Sequence, residues 1–348
     1  MKSVTRTNRC RKCILPDNYP GIEFTKTGIC SHCIRYKSAR YLGEEELYKF
    51  LQSFSQENAD FDVVVGVSGG RDSSYVLYYL AKICKLRVLA YCADNGFIPL
   101  QTKIQIKKMA DRLKVRLIIE KHNLLKKHIK ANLHSWLRKP SPGMVPMICC
   151  GCKLGMFSGL LKCAKAYKIP LVAIGMAPIE RTEYKRTFLR TNPFGNIIGV
   201  RNFKKLSLLF GLLYETLRNP FYFLKPGSII TYAKEYLYFF DIETMRRLFY
   251  PKQRILFFYK YIKWDEKEIQ STIENECGMP APSWRSDCKV SLIRKYLMKK
   301  TVGFTDNDDI LSNMIRENMI TREEALERLK EKTFEKKLLR SIYAEVMA

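Results

Sequence analysis

The sequence lacks an apolar stretch after Met1, where "MKSVTRTNRCRKC" is polar and basic, so a signal peptide is not expected. Nowhere does it reach the roughly 18 uninterrupted apolar residues of a spanning helix, which excludes that class and leads to the expectation of a soluble, cytoplasmic protein. It has no internal repeat and no low-complexity tract. It also lacks both common phosphate-binding fingerprints, G-x-x-x-x-G-K-[ST] and G-x-G-x-x-G, so the nucleotide folds built on them are disfavoured. Acidic charge is scarce: 34 Asp and Glu stand against 61 Lys and Arg, a net charge of +27 at pH 7. That imbalance points to an anionic partner, whether nucleic acid, a nucleotide-linked substrate or an anionic membrane surface, beside the plainer reading of a solvated basic surface.

With 348 residues, 47% of them hydrophobic, the chain is long enough for one large domain and a smaller module. After a cysteine-bearing stretch over 1–40 and the acidic helical run "GEEELYKFLQSFSQ", apolar strands and amphipathic helices alternate. Strands are expected at 61–68, 86–94, 115–122 and 170–176, and helices at 73–84, 100–114 and 153–168. This alternation predicts an α/β fold, a parallel sheet with helices on both faces. The expected organisation is a module over 1–40, the α/β domain over 41–200 and a mainly helical region over 201–348. Within the last, the Phe-, Tyr-, Leu- and Lys-rich segment 203–264 reads as helical. It is either a subdomain core or a surface for peripheral membrane contact. Thr321 and Glu324 form a capping box ahead of a long amphipathic terminal helix.

The chemistry starts at "VSGGRDSS", residues 67–74. A strand ending at Val67 delivers Ser68, Gly69, Gly70, Arg71, Asp72 and Ser73 to the start of a helix, where backbone N–H groups and the helix dipole converge on an anion. Gly69 and Gly70 allow close approach to phosphate oxygens, Ser68 and Ser73 offer hydroxyls, and Arg71 a bidentate charge.

Twelve cysteines in a chain read as intracellular argue for metal ligation over disulfides. Cys10-x-x-Cys13 and Cys30-x-x-Cys33 have the spacing of a four-thiolate zinc site made of two knuckles, with a structural zinc ribbon as the expected product. A second group, Cys149, Cys150 and Cys152, follows a proline-bearing loop (Pro140, Pro142, Pro146). Cys149 and Cys152 are candidates to hold an iron–sulfur cluster or zinc with Cys288 as third ligand and Cys277 in reserve; an unmetallated pair is the alternative. Cys84, Cys92 and Cys163 fall in apolar patterns and read as buried small hydrophobes.

The Ser-Gly-Gly-x-Asp-Ser loop after an apolar strand resembles the pyrophosphate loop (PP-loop) of the ATP pyrophosphatases, of the adenine nucleotide alpha hydrolase-like fold. The resemblance implies ATP bound across the ends of a parallel sheet, adenylylation of a substrate oxygen, and displacement of AMP by a nucleophile. It makes Ser68, Arg71, Asp72 and Ser73 catalytic candidates, places Asp94 and Asn95 of "CADNGF" against the nucleotide, and calls for Mg²⁺, for which Asp72, Glu180 and Glu183 are candidate ligands. Over nearly the whole chain, "CRKCILPDNYPGIEFTKTGICSHC", "DNGF" and "MIRENMITREEALERL" resemble the N-acetyl sugar amidotransferases of lipopolysaccharide (O-antigen) and flagellar-sugar biosynthesis. That resemblance implies conversion of an acetamido group on a sugar, expected to be nucleotide-linked, to an acetamidino group with ATP and ammonia. No glutaminase signature is present, so a separate glutaminase and a cyclase-like channel subunit are implied as partners. The alternative is a PP-loop tRNA-thiolation enzyme with a [4Fe-4S] cluster, for which the charge would serve RNA phosphates.

Overall fold

The computed structural model describes residues 8–54, 60–190, 211, 213–222, 242–280, 288–330 and 336–347. Five strands form one wholly parallel sheet: β1 (Val63–Gly66), β2 (Val88–Asp94), β3 (Arg116–Lys121), β4 (Leu171–Ile174) and β5 (Arg254–Phe257), in the order β3-β2-β1-β4-β5. The expected α/β class is the observed one. Val63 pairs with Val88 on one side and Leu171 on the other, so β1 is central. The three inner strands are continuous apolar runs because both of their faces are covered.

Alternation of side chains along the strands sends successive residues to opposite cores. Val63, Val65, Val88, Ala90, Leu171 and Ala173 pack with the helices Arg71–Tyr78, Leu100–Leu113 and Glu266–Cys277, while Val64, Leu89, Tyr91 and Val172 pack with Met144–Ala166 and Ile242–Phe249. A third apolar cluster joins the cysteine module to the helices Asn123–Arg138 and Lys289–Val302.

Three sequence expectations need correcting. The segment 203–264 is not wholly helical, since Arg254–Phe257 adds β5 beside β4; four residues of mixed burial carry too short an apolar pattern to separate strand from helix. Pro146 does not stand in a loop: it lies in the first turn of Met144–Ala166, where proline's missing N–H costs no intrahelical bond. Cys149, Cys150 and Cys152 are therefore on that helix. The helix Asn123–Arg138 had no counterpart in the sequence expectations, although Leu125, Ile129, Leu133 and Trp136 mark its buried stripe. The terminal helix is described in two stretches, Arg322–Lys330 and Lys336–Met347, with 331–335 outside the described residues. Its capping box is present: the Glu324 amide donates to Thr321 Oγ1 (3.1 Å) and the Thr321 amide to Glu324 Oε2 (2.7 Å). Most of 191–241 also lies outside the described residues. Among those described, no helix is long and apolar enough to cross a membrane.

Candidate functional site

From β1 the chain runs out to β2 and β3 on one side and returns to β4 on the other. Strand order reverses between β1 and β4, and in open parallel sheets the crevice beyond such a reversal is where ligands sit. The loop after β1 is Val67–Gly70, and Arg71 opens the next helix. It is held in shape by its own polar groups: Gly70 N–H donates to Ser68 Oγ (3.2 Å), Ser68 N–H to Ser73 Oγ (3.2 Å), and Ser73 Oγ to the Gly70 carbonyl (3.1 Å). Ser68 and Ser73 thus shape the turn. Gly69 has φ +82°, and a Cβ there would stand 2.3 Å from Thr102 Cγ2. From the β4 side, Gly175 brings the backbone so close that a Cβ would lie 3.0 Å from the Asp72 carbonyl. The two strand ends therefore meet at the start of the Arg71 helix.

Arg71 does not stand open toward the loop. Its Nη1 meets Glu266 Oε1 at 2.5 Å, the guanidinium lies over the Trp264 ring at 5.2 Å, and Arg328 takes the other Glu266 oxygen at 2.8 Å. The Trp264 indole N–H donates to Asp72 Oδ1 (3.0 Å) and the Tyr259 hydroxyl to the Asp72 carbonyl (3.1 Å). Burial, then the charge of Asp72, holds the Tyr259 hydroxyl well above its ordinary pKa, with Tyr75 and Glu180 pushing the same way against Arg71. Glu183 is elsewhere, exposed and 3.4 Å from His32 of the cysteine module. Tyr259, Trp264, Glu266 and Arg328 were not singled out from the sequence: the first three fall in or beside a polar and aromatic stretch without clear periodicity, and Arg328 is one of several cations on the amphipathic terminal helix.

Glu266 neutralises two half-buried guanidinium groups at once. Glu266→Gln is expected to cost about 1–3 kcal/mol, with added pyrophosphate restoring more stability than it adds to the wild type, as read from urea melts with and without the anion. An equal response in both proteins would place Arg71 beyond the anion's reach.

Asp94 and Asn95, at the end of β2, are both buried. Asp94 pairs with Lys103 (2.5 Å) and accepts from the Gly96 amide, so its carboxylate is committed within the protein. The Asn95 side-chain amide reaches two sulfurs, Cys152 Sγ at 3.3 Å and Cys288 Sγ at 3.8 Å. Two cysteines 136 positions apart in sequence thus meet at one amide. Cys149 and Cys150 share the helix of Cys152, but their side chains lie outside the described residues. Cys277 is not part of this group: it is in the core beside the sheet, and burial raises its thiol to about 11. The Cys84 and Cys163 thiols are likewise raised to about 11 by burial, and Cys92 is fully buried in the sheet, as small hydrophobes would be.

No protein-family model matches the sequence, and no curated protein matches it. Among solved structures, the chain is similar to the U34-tRNA thiolase NcsA from Methanococcus maripaludis with its [4Fe-4S] cluster, at 17% identity over 94% of this chain and 90% of that one, with a TM-score of 0.36. So loose an overlap transfers no chemistry.

The N-terminal cysteines do converge. The sulfurs of Cys10, Cys13, Cys30 and Cys33 all lie within 4.8 Å of one another, and all four residues are buried. Backbone amides of Cys13, Leu15 and Cys30 point at sulfurs from 3.2 to 3.5 Å, the pattern expected around thiolates. Four soft donors at tetrahedral reach suit zinc and could also hold an iron–sulfur centre.

The module docks on the helix Asp306–Arg316. Arg9 pairs with Asp308 (2.7 Å), Tyr19 donates to Asp309 Oδ2 (2.6 Å), and the Ile14 amide to Ser312 Oγ (3.3 Å). Burial raises the Asp309 carboxyl to about 7, against the hydrogen bond from Tyr19 and the charges of Arg316 and Lys185, with Glu183 pushing the same way as burial. Its folded pKa is above the unfolded one, so the folded state binds the extra proton and loses stability as pH rises from about 4 to about 7. Asp309→Asn keeps an acceptor for Tyr19 and is expected to remove that slope, with a gain at pH 8 of at most about 4 kcal/mol. Denaturant melts at pH 5 and pH 8 check it; parallel profiles for both proteins would refute it.

Proposed function

We propose that this protein is an ATP-dependent, AMP-forming enzyme that seats the β- and γ-phosphates of ATP on the Ser68–Ser73 loop and adenylylates a substrate oxygen. What carries the reading is a glycine loop at a helix start, set where strand order reverses and closed in by the β4 end at Gly175. The substrate oxygen attacks the α-phosphorus, pyrophosphate leaves toward the loop amides, and a nucleophile then displaces AMP. Arg71 joins the departing pyrophosphate by exchanging Glu266 for it. Asp72 and Glu180 would hold Mg²⁺, which supplies charge neutralisation on the phosphates.

For the acceptor, the motifs around Cys10–Cys33, Asp94–Phe97 and Thr321–Ala325 support an acetamido sugar. Its amide oxygen becomes the leaving group as AMP when ammonia, delivered by a partner glutaminase, adds to the carbon. A second reading, thiolation of tRNA, is favoured by a separate observation: Asn95 gathers Cys152 and Cys288 at the end of β2, in a chain of net charge +27. Both cysteines are suited to an iron–sulfur centre, with Cys149 as the remaining ligand from the same helix.

The test uses anaerobically purified full chain with ATP and Mg²⁺, comparing AMP and pyrophosphate release with UDP-linked N-acetyl sugars plus ammonium against unmodified tRNA plus sulfide. Sugar-dependent release with O replaced by NH in the product supports the first acceptor. Turnover only with tRNA, with sulfur gained, replaces it by the second. Absence of ATP binding by calorimetry would overturn the ATP reading itself.

A further inference from the structure

The four-cysteine centre is tied to the β4 loop by two side chains of one helix. Arg316 donates from Nε to Cys33 Sγ (3.3 Å) and from Nη2 to Cys13 Sγ (3.3 Å) and Cys30 Sγ (3.9 Å), so one guanidinium covers three of the four sulfurs. Its remaining nitrogen, Nη1, donates to Asn313 Oδ1 at 2.8 Å. The Asn313 amide nitrogen in turn donates to two backbone carbonyls, Ile179 at 2.9 Å and Arg181 at 3.0 Å. Asn313 is buried, and so is Ile179. Those carbonyls belong to the segment that follows β4 and Gly175, on the β4 side of the proposed ATP crevice.

We infer that Arg316 and Asn313 are positioning residues, a relay through which the metal-loaded cysteine centre fixes the loop 175–181. Resting on the ATP reading, this makes the centre a determinant of how that site is shaped.

The physical reason is charge. Four thiolates around one divalent cation carry a net charge of −2, and a buried guanidinium is the counter-charge that geometry supplies. The planar fork matters, because a guanidinium serves sulfurs with two nitrogens and still has a third for Asn313. Without the metal nothing holds the four sulfurs together, so the acceptors that Nε and Nη2 of Arg316 share come apart. Asn313 then loses the donor that orients its amide, and the carbonyls of Ile179 and Arg181 lose theirs. Arg322 adds a second hold, from Nε to the carbonyls of Cys10 and Cys13 (3.2 and 3.1 Å), but it does not reach the β4 loop.

The experiment uses full-length protein loaded with Co²⁺, whose sulfur-to-metal absorption reports the centre while amide hydrogen exchange reports the loop. Arg316→Met should shift the Co²⁺ absorption and speed exchange in peptides spanning 175–182 about tenfold, the loss of one or two hydrogen bonds. Asn313→Ala should speed the same peptides while leaving the Co²⁺ spectrum as in the wild type, and it serves if Arg316→Met fails to fold. Arg316→Lys should keep the spectrum close to wild type yet leave exchange raised, because an ammonium cannot serve sulfurs and Asn313 together. Unchanged exchange at 175–182 in folded Asn313→Ala overturns the relay. Failure of the ATP reading is seen separately, as a wild-type protein that binds no ATP while its exchange still responds to Asn313→Ala.

Discussion

Gly69→Ala is expected to reduce ATP-dependent pyrophosphate release at least a hundredfold while leaving the sheet folded. Two costs fall on the one methyl group. The backbone φ of +82° disfavours any L side chain, at about 1–2 kcal/mol. The added Cβ would also stand 2.3 Å from Thr102 Cγ2 and 3.2 Å from Ile106 Cδ1. Thr102 is buried and β-branched on the helix Leu100–Leu113, so it cannot swing clear. The loop must shift instead, and a displacement near 1 Å at reacting groups costs on the order of a hundredfold. Gly21→Ala is the matched control, because Gly21 has φ +70° with nothing within 4 Å of its Cβ: it carries strain without the clash. Thr102→Ser removes the clashing methyl, so in the double variant part of the lost release should return. Release by Gly69→Ala within threefold of wild type would remove the loop from the reaction.

The contrast between Gly69 and Glu266 shows which parts of this site the sequence made legible. Ser68–Ser73 could be read because its signal is local: an apolar strand, two glycines and a helix start occupy neighbouring positions. The strand rhythm was equally local for β1 to β4. Glu266, Trp264 and Tyr259 reach Asp72 and Arg71 from about 190 residues away. No spacing rule connects such positions, and the sheet order that joins them depends on β5, whose pattern is too short to declare itself. Cys288 is the intermediate case. Residue type nominated it as a partner for Cys152, but that Asn95 stands between the two sulfurs required the fold. Arg71 differs again: a cation whose position in the motif aims it at phosphate is shared with Glu266, a carboxylate that no local pattern connects to it. Asp94 is similar, a carboxylate nominated for the nucleotide that Lys103 holds instead.

Cys13→Ser is expected to have the largest effect on stability, because it removes one atom from a centre on which the N-terminal module depends. The apolar residues of that module are few, and Ile14, Leu15 and Tyr19 are buried only while the two knuckles hold their turns. A structural zinc contributes of order 10–16 kcal/mol of binding free energy to such a unit. Losing one thiolate should therefore abolish stoichiometric zinc and lower the melting temperature by roughly 10 °C, the scale of several kcal/mol in a chain this large. The relay adds to the loss, for Cys13 is one of the sulfurs that Arg316 holds. Cys163→Ser makes the same change of sulfur for oxygen at a buried thiol in the apolar cluster that also holds Leu160, Ala164 and Val172, away from the four-cysteine centre. It should cost about 1–3 kcal/mol and no metal. Zinc analysis, melting and limited proteolysis separate the two: cleavage within residues 8–35 should appear in Cys13→Ser alone. If Cys13→Ser kept its zinc and its resistance to cleavage, the four sulfurs would be a packed cluster of thiols, and neither the ribbon nor the relay built on it would stand.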